Sequence, residues 1–191
     1  MFFRNAINEF RTWAAERDRK PLILIGARQV GKTTAVEVFS KDFDQYIYLN
    51  MEKNEDAEVF NHGLPIEDLI QSIYLYKDMT PSQGKILIFI DEIQNSQQAI
   101  TQLRYFYESE KELHIIAAGS LFEVMIKESG PRFPVGRVQY IYMYPLTFEE
   151  FLAATGEEQA LECYHTIPFP DFSFYKTNEA FPPIHSCRRN A

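Results

Sequence analysis

The apolar positions of this chain follow two rhythms in turn. Over residues 2–19, Phe3, Ile7, Phe10 and Ala14 recur at helical spacing with charges between them, which predicts an amphipathic helix. Pro21 stops it. Leu22–Ile25 is a short run without a polar position that ends at Gly26, as a strand buried on both faces does in a parallel sheet. The spacing then predicts a helix over Lys32–Phe39, a strand over Tyr46–Asn50 and a helix over residues 65–77 with Pro65 at its start. After the Gln83-Gly84 turn comes the strongest strand signal, Lys85–Asp91. A helix over 97–110, a strand over His114–Gly119, a helix over 121–127 and a strand over Val138–Tyr144 follow. Thr147-Phe148-Glu149-Glu150, after Pro145, has the form of a capping box opening a short helix.

Strands alternating with helices through residues 21–155 specify an α/β fold with a mainly parallel five-stranded sheet between helical layers. Residues 165–191 carry Pro168, Pro170, Pro182 and Pro183 without a period and read as irregular. The expected organisation is one domain over 1–160 and a proline-rich tail over 161–191.

Composition narrows the function classes. With 191 residues, 46% hydrophobic, the chain can bury one good core. The net charge of −8 lowers the expectation of a nucleic-acid coat without excluding a local basic strip. The N-terminus lacks a secretory pattern, and the apolar run Ile86–Ile90 is far too short to span a bilayer. Cys163 and Cys187 form no CxxC pair, which suits free thiols in a reducing cytoplasm. His62, His114, His165 and His185 show no metal-ligand spacing.

One segment carries explicit chemistry. Gly26-Ala27-Arg28-Gln29-Val30-Gly31-Lys32-Thr33 fits G-x-x-x-x-G-K-[ST] at a strand-to-helix junction. The glycines let several backbone N–H groups converge, and the helix that follows adds its positive end. Lys32 would meet the β- and γ-phosphates, Thr33 would ligate magnesium, and Thr34 is placed for the α-phosphate. Asp91 and Glu92 end the strongest strand. Alone they would open a solvated turn. Beside a full phosphate loop they predict a magnesium-shell aspartate and a base that polarises the attacking water. The adjacent Glu92, and the lack of an NKxD sequence, favour ATP over GTP.

Ser120, just past the HIIAAGS strand, is a candidate γ-phosphate or water contact, and equally a helix cap. The charge on a transferred phosphoryl group usually needs an arginine, in cis or from a neighbour. Arg104, Arg132 and Arg137 are the candidates. Arg137, in a loop with Gly130, Pro131, Pro134 and Gly136, is the preferred one. Two rival readings stay open: a nucleotide-dependent switch that hydrolyses poorly, and a small-molecule kinase. The second would need an arginine-rich lid, whereas residues 121–140 carry only Arg132 and Arg137.

GARQVGKTT, IFIDEIQ, HIIAAGS and GRVQYIYMYPLTFEEFL occur in this order. Together they resemble the bacterial and archaeal AAA-type ATPases whose P-loop domain precedes a C-terminal domain of unknown function. The resemblance spans roughly residues 1–155. It implies an AAA+-type core in which the HIIAAGS strand separates the Asp-Glu strand from the P-loop strand, with ATP and magnesium as ligands. It carries Gly26, Gly31, Lys32, Thr33, Asp91, Glu92, Ser120 and Arg137 into functional positions. The family continues into a second domain, expected to be nuclease-like. The proline-rich end of this chain is therefore expected to be a truncated or disrupted remnant. A partner protein or C-terminal effector module, and a homo-oligomer, are the expected associations.

Overall fold

The computed structural model describes residues 4–120 and 133–166. The described residues divide into two compact units, one over residues 4–120 with 133–145 and one over 146–166. The larger unit holds α1 (Asn5–Ala15), β1 (Leu22–Ile25), α2 (Lys32–Phe39), β2 (Gln45–Asn50), α3 (Asn54–Asn61), α4 (Ile66–Tyr76), β3 (Ile86–Asp91), α5 (Gln97–Ser109), β4 (His114–Gly119) and β5 (Gln139–Tyr142). In the smaller unit lie α6 (Phe148–Thr155) and α7 (Glu158–Thr166).

The five strands form one sheet in the order β2-β3-β4-β1-β5, and every pairing is parallel. Period-2 alternation sends successive side chains to opposite faces. Ile23, Ile25, Ile47, Leu49, Ile88, Ile90 and Ile115 pack with Phe60, Leu69, Ile73, Leu103 and Phe106 of α3, α4 and α5. Leu22, Leu24, Leu87, Phe89 and Ile116 pack with Phe10 and Trp13 of α1 and Val36 and Phe39 of α2. The result is a three-layer α/β/α unit. Each central strand has helices on both faces, which is why Ile86–Asp91 and His114–Gly119 are buried at every position.

The strand and helix expectations hold in type, with shifts at the ends. Helix α1 starts at Asn5 rather than residue 2 and stops at Ala15, short of Pro21. The capping box is present: the Thr147 hydroxyl accepts from the Glu150 N–H at 3.1 Å, and the Glu150 carboxylate accepts from the Thr147 N–H at 2.9 Å. Two helices go beyond the sequence expectations. In α3, Asn54, Glu55, Asp56 and Glu58 mask the apolar face made by Val59 and Phe60. Helix α7 runs through residues 161–166, where the sequence shows no strong period. The helix expected over 121–127 lies outside the described residues.

His114 starts β4 with only 6% of its surface exposed, and its ring stands edge-on to Trp13 and Phe43 at 5.9 and 4.8 Å. Burial, aided by the charge of Arg19, lowers its pKa from 6.5 to about 4, against the pull of hydrogen bonds to the backbone of Ala14 and Ile86. The unfolded chain therefore binds this proton more tightly than the folded one. The stability tied to neutral His114 is complete above pH 6.5 and declines as the pH falls toward 4, by up to about 3 kcal/mol. Urea unfolding across that window is expected to show a shallower decline for His114→Leu than for the parent. Equal slopes would assign the decline to other groups.

Candidate functional site

Parallel pairing places the C-terminal ends of β1, β3 and β4 along one edge of the sheet. Register aligns Ile25 with Gly119 and Ile90 with Ala117, so Gly26, Asp91 and Ser120 all emerge at that edge. Strand β4 lies between β1 and β3, as the resemblance implies.

Gly26 begins the turn because nothing larger fits. A Cβ there would stand 2.4 Å from the Met143 carbonyl oxygen. Gly31 closes the turn in the left-handed region at φ 88°, strained for any side chain. Helix α2 starts at the next residue, so the partial positive charge of its free N–H groups faces the loop. Gln29 also takes positive φ, at 65°. Ala27, Arg28 and Gln29 are exposed, while Val30 is buried.

Lys32 is 6% exposed, and its Nζ donates to the carbonyls of Gly26 and Ala27 at 2.9 Å each. Burial pulls its pKa down; Glu92 and Asp91 oppose that, and Arg28 adds to it. The Thr33 hydroxyl donates to Asp91 Oδ2 at 2.8 Å, joining positions 58 residues apart. Asp91 is buried on the α2 side of the sheet because it continues the parity of Leu87 and Phe89. It also accepts the Tyr48 hydroxyl at 3.3 Å and the Glu92 N–H at 3.0 Å. Burial and the Asp91 charge push the Tyr48 phenol up to about 12.

Glu92 leaves the strand with φ 50°, a left-handed conformation that costs a non-glycine residue about 1 kcal/mol. Its carboxylate accepts a hydrogen bond from the Gln94 amide. Ser120 Oγ is buried without a hydrogen-bond partner among the described residues. Thr34 is exposed on the first turn of α2.

Arg137 is not brought to this edge. It precedes β5, whose first residue Gln139 pairs with Leu22 at the start of β1, so it stands at the opposite end of the sheet from Gly26. There it bonds Glu108 at 3.1 Å and lies over the Tyr107 ring. The loop glycines and prolines suggest mobility, but strand direction decides its place. Arg104 pairs with Glu108 one turn away on α5. Arg132 lies outside the described residues.

A magnesium–triphosphate fits what is present. Thr33 and Asp91 already converge, and a lysine stands within the loop. Among the described residues no three His, Cys, Asp or Glu side chains gather as a metal group. Magnesium held with phosphates needs no such cage, because water and phosphate oxygens complete its octahedron. A cavity of about 560 Å³ lies elsewhere, between Phe60, Leu64, Gln97, Thr101 and Tyr105. None of the residues Gly26–Thr34 lines it.

Four contributors carry no role in the sequence reading: Gln94 and Met143 lie inside IFIDEIQ and GRVQYIYMYPLTFEEFL, and Tyr48 and Arg4 lie outside every quoted motif. Tyr48 is findable from the parity of Gln45–Asn50, and Gln94 sits two residues past Glu92. Arg4 and Met143 give no local signal, since both reach the loop only through tertiary contact.

Among the described residues no helix is long and apolar enough to cross a membrane. The family model described as "AAA domain" matches residues 18–152. No curated protein matches. Among solved structures, the Walker-type ATPase PABY2304 of Pyrococcus abyssi is similar at a TM-score of 0.53 and 17% identity, over 88% of this chain and 60% of that one. The present chain thus spans less than two thirds of that protein, and at this identity the likeness is one of fold. The all-parallel sheet with a phosphate loop after β1, together with a family match over most of the chain, leads to one conclusion: this chain belongs to the AAA-type P-loop ATPases.

Proposed function

We propose that this chain binds ATP with magnesium at Gly26–Thr34 and hydrolyses it, coupling the nucleotide state to movement of an attached module or partner. The observation that carries the reading is the Thr33–Asp91 contact at 2.8 Å, which sets a hydroxyl and a carboxylate side by side next to a helix N-terminus. Backbone N–H groups of the loop would hold the phosphates, and Lys32 would swing its ammonium from the Gly26 and Ala27 carbonyls to the β- and γ-oxygens. Thr33 and Asp91 would hold the magnesium shell. The bound ion would supply charge neutralisation on the phosphate oxygens. Glu92 would orient the attacking water and take its proton, and Ser120, whose buried hydroxyl has no partner among the described residues, would contact the water or the γ-phosphate.

The bond from Gln94 to the Glu92 carboxylate supports slow turnover in the isolated chain, and it is the observation that favours the switch reading as second choice. Released from Gln94, Glu92 is a base; held by it, the domain binds nucleotide and waits.

Lys32→Ala is expected to weaken magnesium–ATP binding by about 100-fold or more, since two charge-assisted contacts disappear. Calorimetry reads this directly, and unchanged affinity would remove the assignment. Glu92→Gln is expected to bind ATP like the parent and hydrolyse it about 10²–10⁴-fold more slowly in single-turnover assays. Equal rates would show that Glu92 is not the base.

Arg137→Ala is expected to leave turnover within about twofold of the parent, because an arginine acts on the transferred phosphoryl group only where it reaches it. A loss of tenfold or more, measured at equal protein concentration, would return Arg137 to the site through another copy of the chain.

A further inference from the structure

Arg4 is the first residue of the larger unit and one of its few buried charges, 9% exposed. Its Nη1 donates to the Val30 carbonyl at 2.8 Å, inside the phosphate loop. Its Nη2 donates to the Tyr144 carbonyl at 2.7 Å, across 140 residues of sequence. The same Nη1 lies 3.4 Å from where a Gly31 Cβ would stand, so the guanidinium lies against the Val30–Gly31 peptide. The loop also meets Met143, whose N–H donates to the Ile25 carbonyl at 2.7 Å and whose own carbonyl excludes any side chain at Gly26.

A trans peptide points its carbonyl and the N–H of the following residue in opposite directions. Fixing the Val30 carbonyl toward Arg4 therefore turns the Gly31 N–H away from Arg4, into the hollow of the loop. The planar guanidinium suits this task, because two of its N–H groups reach two carbonyls on separate segments at once. A lysine ammonium has no such fork.

We infer that Arg4 is a positioning residue for phosphate binding. It locks the Val30–Gly31 peptide in the orientation that presents the Gly31 N–H to the nucleotide, and braces that peptide against the segment leaving β5. This inference rests on the assignment of Gly26–Thr34 as the nucleotide site. Arg4 does not itself touch the phosphates. Its loss should therefore appear in nucleotide affinity rather than in the chemical step, and ADP should suffer as ATP does, because the Gly31 N–H serves the phosphate that both share.

The test compares the parent, Arg4→Met and Arg4→Lys for ADP binding by calorimetry, for KM and kcat with magnesium–ATP, and for melting temperature with and without ADP. Loss of one charge-assisted hold on the loop should raise the ADP Kd and the ATP KM about tenfold in Arg4→Met, with kcat kept. The ADP-induced rise in melting temperature should shrink with it. Arg4→Lys should fall between the two. A merely structural role would lower the nucleotide-free melting temperature of each variant and leave the ADP-induced rise and the KM intact, and that result would overturn the inference. If Arg4→Met does not fold, Arg4→Lys carries the test; if neither folds, Arg4 is a fold-forming group and the inference is also overturned. A parent that binds neither ADP nor ATP would instead sink the nucleotide-site assignment.

Discussion

A strand buried on both faces has nowhere to send a polar side chain until it ends. Ile86–Ile90 and His114–Ala118 are such strands, and helices cover both of their faces. Connections through helices make the strands run parallel, so the places where polar groups become tolerable all fall at the same edge. The phosphate loop, Asp91, Glu92 and Ser120 share a site because of that constraint, though the phosphate loop and Asp91 are separated by the whole of β2, α3 and α4 in sequence. The same constraint expels Arg137, which enters the sheet at the beginning of a strand.

Parity adds the second level of control. Asp91 belongs to the set that includes Leu87 and Phe89, so it faces α2, where the first helical turn offers Thr33. One more extended residue would aim Glu92 at the opposite face. The chain instead turns left-handed at Glu92, at a modest conformational cost, and the side chain meets Gln94. Gln29 and Glu92, two of the three non-glycine residues at positive φ among the described residues, thus lie in the loop and at the end of β3, where the packed sheet beneath holds these conformations in place.

Buried charge follows the same geography. Lys32 and Asp91 are both nearly sealed from solvent, and each is satisfied by hydrogen bonds rather than by a direct ion pair with the other. Such groups are costly to bury and gain most from a ligand that meets them with opposite charge or metal. Arg4 extends the pattern to the back of the loop. It joins the Val30 carbonyl to the Tyr144 carbonyl, close to the point where the chain leaves the larger unit at Pro145.

The sequence by itself determined the strand and helix types through most of the larger unit, the phosphate loop from Gly26 to Thr33, and the Asp91-Glu92 pair at a strand end. These are local properties: apolar runs of defined length, glycines where the backbone must bend sharply, and carboxylates where burial stops. It also determined the Thr147–Glu150 capping box, whose partners lie within one turn. Helix α3 is hidden because charged positions interrupt its short apolar face, so its amphipathic signal is weak over eight residues. Tertiary structure alone decided that Met143 and Arg4 frame the loop and that Arg137 stands at the far end. Each of these depends on strand order and direction, which arise from packing between distant segments and leave no periodic trace in the residues that take part.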